Sequence, residues 1–115
     1  MVRTLATEVV TLMLRRITED NRLLRPVREL VEGFKPALLQ LARSDPRFFA
    51  DRQNPARRLL NIVTERGLAF TSEQDAGFAD YVLQLRDAVQ ALQGPAQTLA
   101  ERIAQQLLRL SPVSY

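Results

Sequence analysis

The chain contains no cysteine and no histidine. The first absence removes disulfide staples, thiolate metal sites and cysteine nucleophiles. The second removes the commonest general base, the commonest metal ligand and triad chemistry. An all-carboxylate metal site would need several acids to converge, and the acids here are scattered along helix faces, so no metal and no cofactor are expected. No apolar run approaches the ~18 residues that a membrane span needs. No Gly-rich phosphate loop occurs. There is no strand pattern, no repeat at a solenoid period, no low-complexity segment and no long internal linker. Lysine is nearly absent too: Lys35 is its single representative among sixteen basic residues. That bias fits a GC-rich genome better than a function. The net charge of +3 over 115 residues is mild, and Met1-Val2-Arg3 leads into an amphipathic helix containing Glu8 rather than a signal peptide. A cytoplasmic protein without membrane association is expected.

What is present centres on Asp45 to Leu60, DPRFFADRQNPARRLL. Asp45-Pro46 and Asn54-Pro55 share one grammar, a short side-chain acceptor as cap and a proline at the first helical position, where its missing N–H is harmless. They predict one short helical turn from Pro46 to about Ala50, then a helix from Pro55. At least one of Phe48 and Phe49 is expected to anchor the core. Arg43, Arg47, Arg52, Arg57 and Arg58 cluster here against only Asp45 and Asp51. Beside a helix N-terminus, such arginines make a candidate anion-binding site. The competing reading is a solvated surface in which they pair with nearby acids.

Around this centre the apolar spacing is helical throughout. Val2, Leu5, Ala6, Val9, Val10, Met13 and Ile17 predict a helix from about Leu5 to Glu19. Leu12 and Leu14 fall outside that stripe, so this helix is expected to be contacted on more than one side, and these two are the candidate interaction residues. Val27, Leu30, Val31, Phe34, Leu38, Leu41 and Ala42 keep one phase from Pro26 to Ser44. They predict a single helix kinked at Pro36, with a split at Gly33 as the alternative. The helix from Pro55 is expected to run to Arg66 and to stop at a left-handed Gly67. Ser72 to Asp75 resembles a capping box opening a helix carried by Phe78, Tyr81, Val82, Leu85, Ala88, Val89 and Leu92. Pro95 opens the last helix, with Leu99, Ile103, Leu107 and Leu110 inward and a frayed tail after Ser111. The expected fold is all-α: one domain spanning residues 1–115, a bundle of about five helices plus one short turn.

Leu5 to Phe70 resembles a family of large bacterial cytosolic proteins defined by a domain of unknown function, some of whose members carry the label "thymidine phosphorylase". The resemblance rests on a helix ending near Glu19-Asp20, then Pro26-Val27, Lys35-Pro36-Ala37-Leu38-Leu39, Asp45-Pro46-Arg47-Phe48-Phe49 and Asn54-Pro55-Ala56-Arg57-Arg58-Leu59-Leu60-Asn61. The family pattern has His where Asn54 stands; either residue caps a helix, but chemistry assigned to that His is absent here. The phosphorylase label finds no support in the residues. The resemblance implies a module of, or a shortened relative of, a larger bacterial regulatory protein. The residues themselves favour a non-enzymatic helical protein-interaction module, docking a partner or a second copy in a dimer. The alternative is anion, nucleotide or nucleic-acid binding through the Arg43–Arg58 cluster, and an enzyme is the least supported.

Overall fold

Ala6, Val10, Leu14 and Ile17 repeat every three or four residues and all are buried, which sets the inward face of the first helix. The computed structural model describes residues 2–45, 54–93 and 99–111, with side chains from residue 6 onward. Among these residues the chain forms α1 (Val2–Thr18), α2 (Arg25–Glu32), α3 (Lys35–Ser44), α4 (Pro55–Leu68), α5 (Phe78–Ala91) and α6 (Leu99–Leu110). One apolar core draws side chains from all six. α1 packs on α3 and α2, α2 also on α5, and α6 on α4, α5 and α3. The expected turn after Pro46, Phe48, Phe49, Pro95, the tail and the side chains of Val2 and Leu5 lie outside the described residues.

The inward face of α1 is rotated from the expected stripe. Leu14 is 2% exposed and belongs to the core, while Met13 is only partly buried against it. The expectation that Leu14 is a spare apolar residue is therefore corrected: α1 lies against both α2 and α3, and flanking contacts widen the buried sector to include it. Leu12 does stay outside, at 52% exposure.

The kinked helix is in fact two. Gly33 N–H donates to the Leu30 carbonyl at 2.9 Å and Phe34 N–H to the Val31 carbonyl at 3.0 Å, a tightened turn that ends α2. Pro36 has no N–H to return to the Glu32 carbonyl, so α3 starts afresh. The apolar phase survives the break, since Val27, Val31, Phe34, Leu38 and Leu41 are all buried. Gly33 serves close packing: a Cβ there would lie 2.8 Å from Val89 Cγ1 of α5.

Asn54 caps α4 as expected. Its Oδ1 accepts from Arg57 N–H at 2.8 Å, Pro55 follows, and Asn54 is itself buried at 3% exposure. Gly67 is not a left-handed stop. α4 continues through it to Leu68, and Gly77 is the one residue with positive φ among those described. The reason for glycine at 67 is space, because a Cβ would meet Leu23 Cδ2 at 2.8 Å and Val27 Cγ1 at 3.3 Å. The gap also admits Tyr81, whose hydroxyl donates to the Val63 carbonyl at 2.6 Å. Phe70 stacks on Tyr81 and meets Phe78 edge-on, with ring centroids 5.6 and 5.3 Å apart. Arg66 lies over the Tyr81 ring at 4.8 Å and donates to Gln84 and to the Leu110 carbonyl, joining α4, α5 and α6.

The capping box forms in half, and without starting a helix: Ser72 Oγ accepts from Gln74 N–H and not from Asp75 N–H. Asp75 accepts from the N–H groups of Thr71 and Ser72 at 2.8 and 3.2 Å, and these bonds hold its carboxyl below the usual range. The chain then turns through Gly77 at φ 85°, and α5 begins only at Phe78. A left-handed glycine interrupts the helix that the local pattern favours.

Candidate docking cleft between α1 and α4

α1 is held by α2 and α3, whereas α4 is held chiefly by α6. The two helices approach without close packing and leave a cleft of about 480 Å³. Helical spacing decides what lines it. Met13, Arg16, Ile17 and Asp20 fall on one stripe at the end of α1, and Arg57, Leu60, Asn61, Thr64 and Glu65 on one stripe of α4, with Arg22 between α1 and α2 completing the rim. The floor is apolar: Ile17 and Leu60 are buried and Met13 packs partly against the core. The walls are polar, three arginines facing two carboxylates.

The polar groups divide into satisfied and waiting ones. Asp20 accepts from the Arg22 backbone N–H at 2.9 Å and from its guanidinium at 3.0 and 2.7 Å. Those bonds, the side-chain ones first, pull the Asp20 carboxyl down to about 2. Thr64 donates its hydroxyl to the Leu60 carbonyl at 2.8 Å. Arg57 and Arg16 are different. Among the described residues no acceptor meets either guanidinium, and Arg57 Nε is buried without a partner. A buried donor left unmade costs about 1–3 kcal/mol. A planar guanidinium is also the cation best suited to hold a carboxylate or phosphate with two bonds.

Of the arginines singled out in the sequence, Arg57 lines this cleft. Arg43 and Arg58 are exposed and do not line it, and Arg47 and Arg52 lie outside the described residues. The cluster read from the sequence is thus not assembled by the described residues; Arg57 is brought to Arg16 and Arg22 instead. Those two were missed as site residues. The available signal was the repeat of Met13, Arg16, Ile17 and Asp20, one mixed apolar and polar stripe beside a purely apolar one. Leu12 borders a shallow depression on the outer side of α1 with Thr7, Glu8, Thr11 and Arg15. Leu83 and Leu108 are its exposed apolar counterparts on α5 and α6, single side chains of a kind common on protein surfaces. Among the described residues no group of acids could hold a metal ion, and no helix is long and apolar enough to cross a membrane.

Comparison with curated proteins and with solved structures yields no match. A family model described as "Protein of unknown function (DUF1631) 2nd domain" matches residues 2–108. The match runs beyond Phe70, through α5 and nearly all of α6, and so takes in nearly the whole helical core rather than the central stretch alone. The chain belongs to this family: it is a second domain of the DUF1631 proteins of unknown function.

Proposed function

We propose that this chain is a non-enzymatic helical docking module of a larger regulatory protein, and that the cleft between α1 and α4 seats its protein partner. The carrying observation is an apolar floor of Met13, Ile17 and Leu60 bordered by the Arg16 and Arg57 guanidinium groups, which no acceptor among the described residues meets, Arg57 Nε being buried. An apolar floor with a charged rim is the common anatomy of peptide-binding grooves between helices. The family description supports a module that works beside at least one other domain. The residues give catalysis little to use. Histidine and cysteine are missing, and Asp20, tied to Arg22, is too weak a base to move protons near neutral pH.

Anion or nucleic-acid binding through Arg43 to Arg58 draws less support, because Arg43 and Arg58 do not line the cleft with Arg57. Among the described residues no aromatic side chain lines it for base stacking either. Self-association through α1 draws less support, because Leu14 is lost to the core and Leu12 is the one exposed large apolar side chain of α1 among the described residues.

The test is selection of random displayed peptides on the immobilised chain, followed by amide chemical-shift mapping of the binders. Shifts confined to residues 13–22 and 57–65 are expected. Absence of enriched binders, or binders that map to the Leu12 face or to α5 and α6, would overturn the proposal.

A further inference from the structure

We infer that the cleft recognises a carboxylate: its occupant is a protein segment carrying an apolar side chain with an Asp or Glu within one helical turn of it. This rests on the docking reading and names the chemistry of the partner. The apolar side chain follows from the floor of Ile17 and Leu60, and the carboxylate from the two cations above it. Arg22 is already neutralised by Asp20 at 2.7 Å. Arg16 and Arg57 are not neutralised by any described residue, and they stand on opposite walls. An acid entering between them gains charge-assisted bonds from both sides in a half-enclosed place, where such bonds are stronger than in open water.

The same geometry disfavours a polyanion. Asp20 and Glu65 line the cleft with the arginines. Among the described residues three cations stand against two anions, which leaves room for about one added negative charge, whereas a run of phosphates would meet the two carboxylates as well. A nucleic-acid strand would also set its sugars and bases against an apolar floor where no described residue offers an aromatic ring to stack on. One carboxylate beside one aliphatic side chain satisfies both floor and walls.

The experiment uses the selected peptides as synthetic fluorescent probes. Binding to the 115-residue chain is measured by anisotropy for each peptide and for its Asp→Asn or Glu→Gln form. The chains are wild type, Arg16→Gln, Arg57→Gln, the double variant and Arg43→Gln as a control, each checked by thermal melting. The enriched sequences are expected to pair an aliphatic residue with an acid three or four positions away. Converting that acid to its amide should weaken binding about tenfold or more on wild type and Arg43→Gln, and have little further effect on the double variant. Arg57→Lys, which keeps the charge, should recover part of the affinity lost in Arg57→Gln. If peptides seat in the cleft but bind equally well as amides, the carboxylate inference falls while the docking reading stands. If no peptide seats in the cleft, both fall. If inorganic phosphate or a thymidine oligonucleotide displaces the peptides with a steep salt dependence, the cleft is a phosphate site and the inference is overturned.

Discussion

Replacing Gly67 with alanine sets two known effects against each other, and their balance reports on how α4 is packed. Inside a helix, Gly→Ala stabilises by roughly 0.5–1 kcal/mol. Against that, the new Cβ would stand 2.8 Å from Leu23 Cδ2 and 3.3 Å from Val27 Cγ1. Leu23 and Val27 are both fully buried and cannot swing into solvent. Overpacking of this kind costs about 1–3 kcal/mol, so Gly67→Ala should destabilise by about 1–2 kcal/mol, near 4 °C of melting temperature per kcal/mol at this size. The diagnostic measurement is a double-mutant cycle with Leu23→Ala, read by urea unfolding. Leu23→Ala alone should cost about 2–5 kcal/mol. In that background the closest contact is gone and Gly67→Ala should become neutral or stabilising. A left-handed Gly67 would give another pattern, a loss of about 1 kcal/mol whatever stands at position 23. A penalty unchanged by Leu23→Ala would refute the close-packing account.

Other substitutions test neighbouring links. Asn54→Ala removes the acceptor of Arg57 N–H and should cost about 0.5–2 kcal/mol by thermal melting. Leu60→Ala empties a buried site that is also the cleft floor. It should cost about 2–5 kcal/mol in urea unfolding and weaken any cleft-bound peptide at the same time. Burial raises the Tyr81 phenol above its ordinary value of 10.0, with Arg66 opposing in part. A raised folded-state pKa gives stability that is complete below the unfolded value and lost as pH climbs above it. Wild-type stability should therefore fall above about pH 10, and Tyr81→Phe should flatten that alkaline limb while costing about 0.5–1.5 kcal/mol at neutral pH.

The helices were readable because each carries its own apolar period, and the cap at Asn54 was readable because its acceptor and its donor are three residues apart. Local pattern failed where a distant neighbour decides. Gly67 sits at a place that suits a helix stop, and only the approach of Leu23 explains why glycine is there within the helix. The break at Gly33 is hard to read from sequence because the unbroken phase of Val31, Phe34 and Leu38 hides it. The box at Ser72 to Asp75 makes its Asp75 bond to Ser72 N–H, yet the left-handed Gly77 further on sets where α5 begins. Leu14 was misread because the neighbours of α1 on two sides widen its buried sector. The cleft was only half visible: Arg57 stood out in its local run, but Arg16 joins it from another helix, and no spacing within either helix announces that meeting.

The most direct test of the central claim, that the Arg57 guanidinium is kept for a partner and not for the fold, is the stability of Arg57→Met. Methionine keeps the unbranched stem and a similar helix propensity while removing the buried donor that no described residue satisfies. Urea unfolding should give an unfolding free energy that is unchanged or raised, by up to about 1–3 kcal/mol, while cleft-bound peptides are lost. A variant destabilised by about 3 kcal/mol or more would mean that Arg57 holds the bundle together, and would contradict the account.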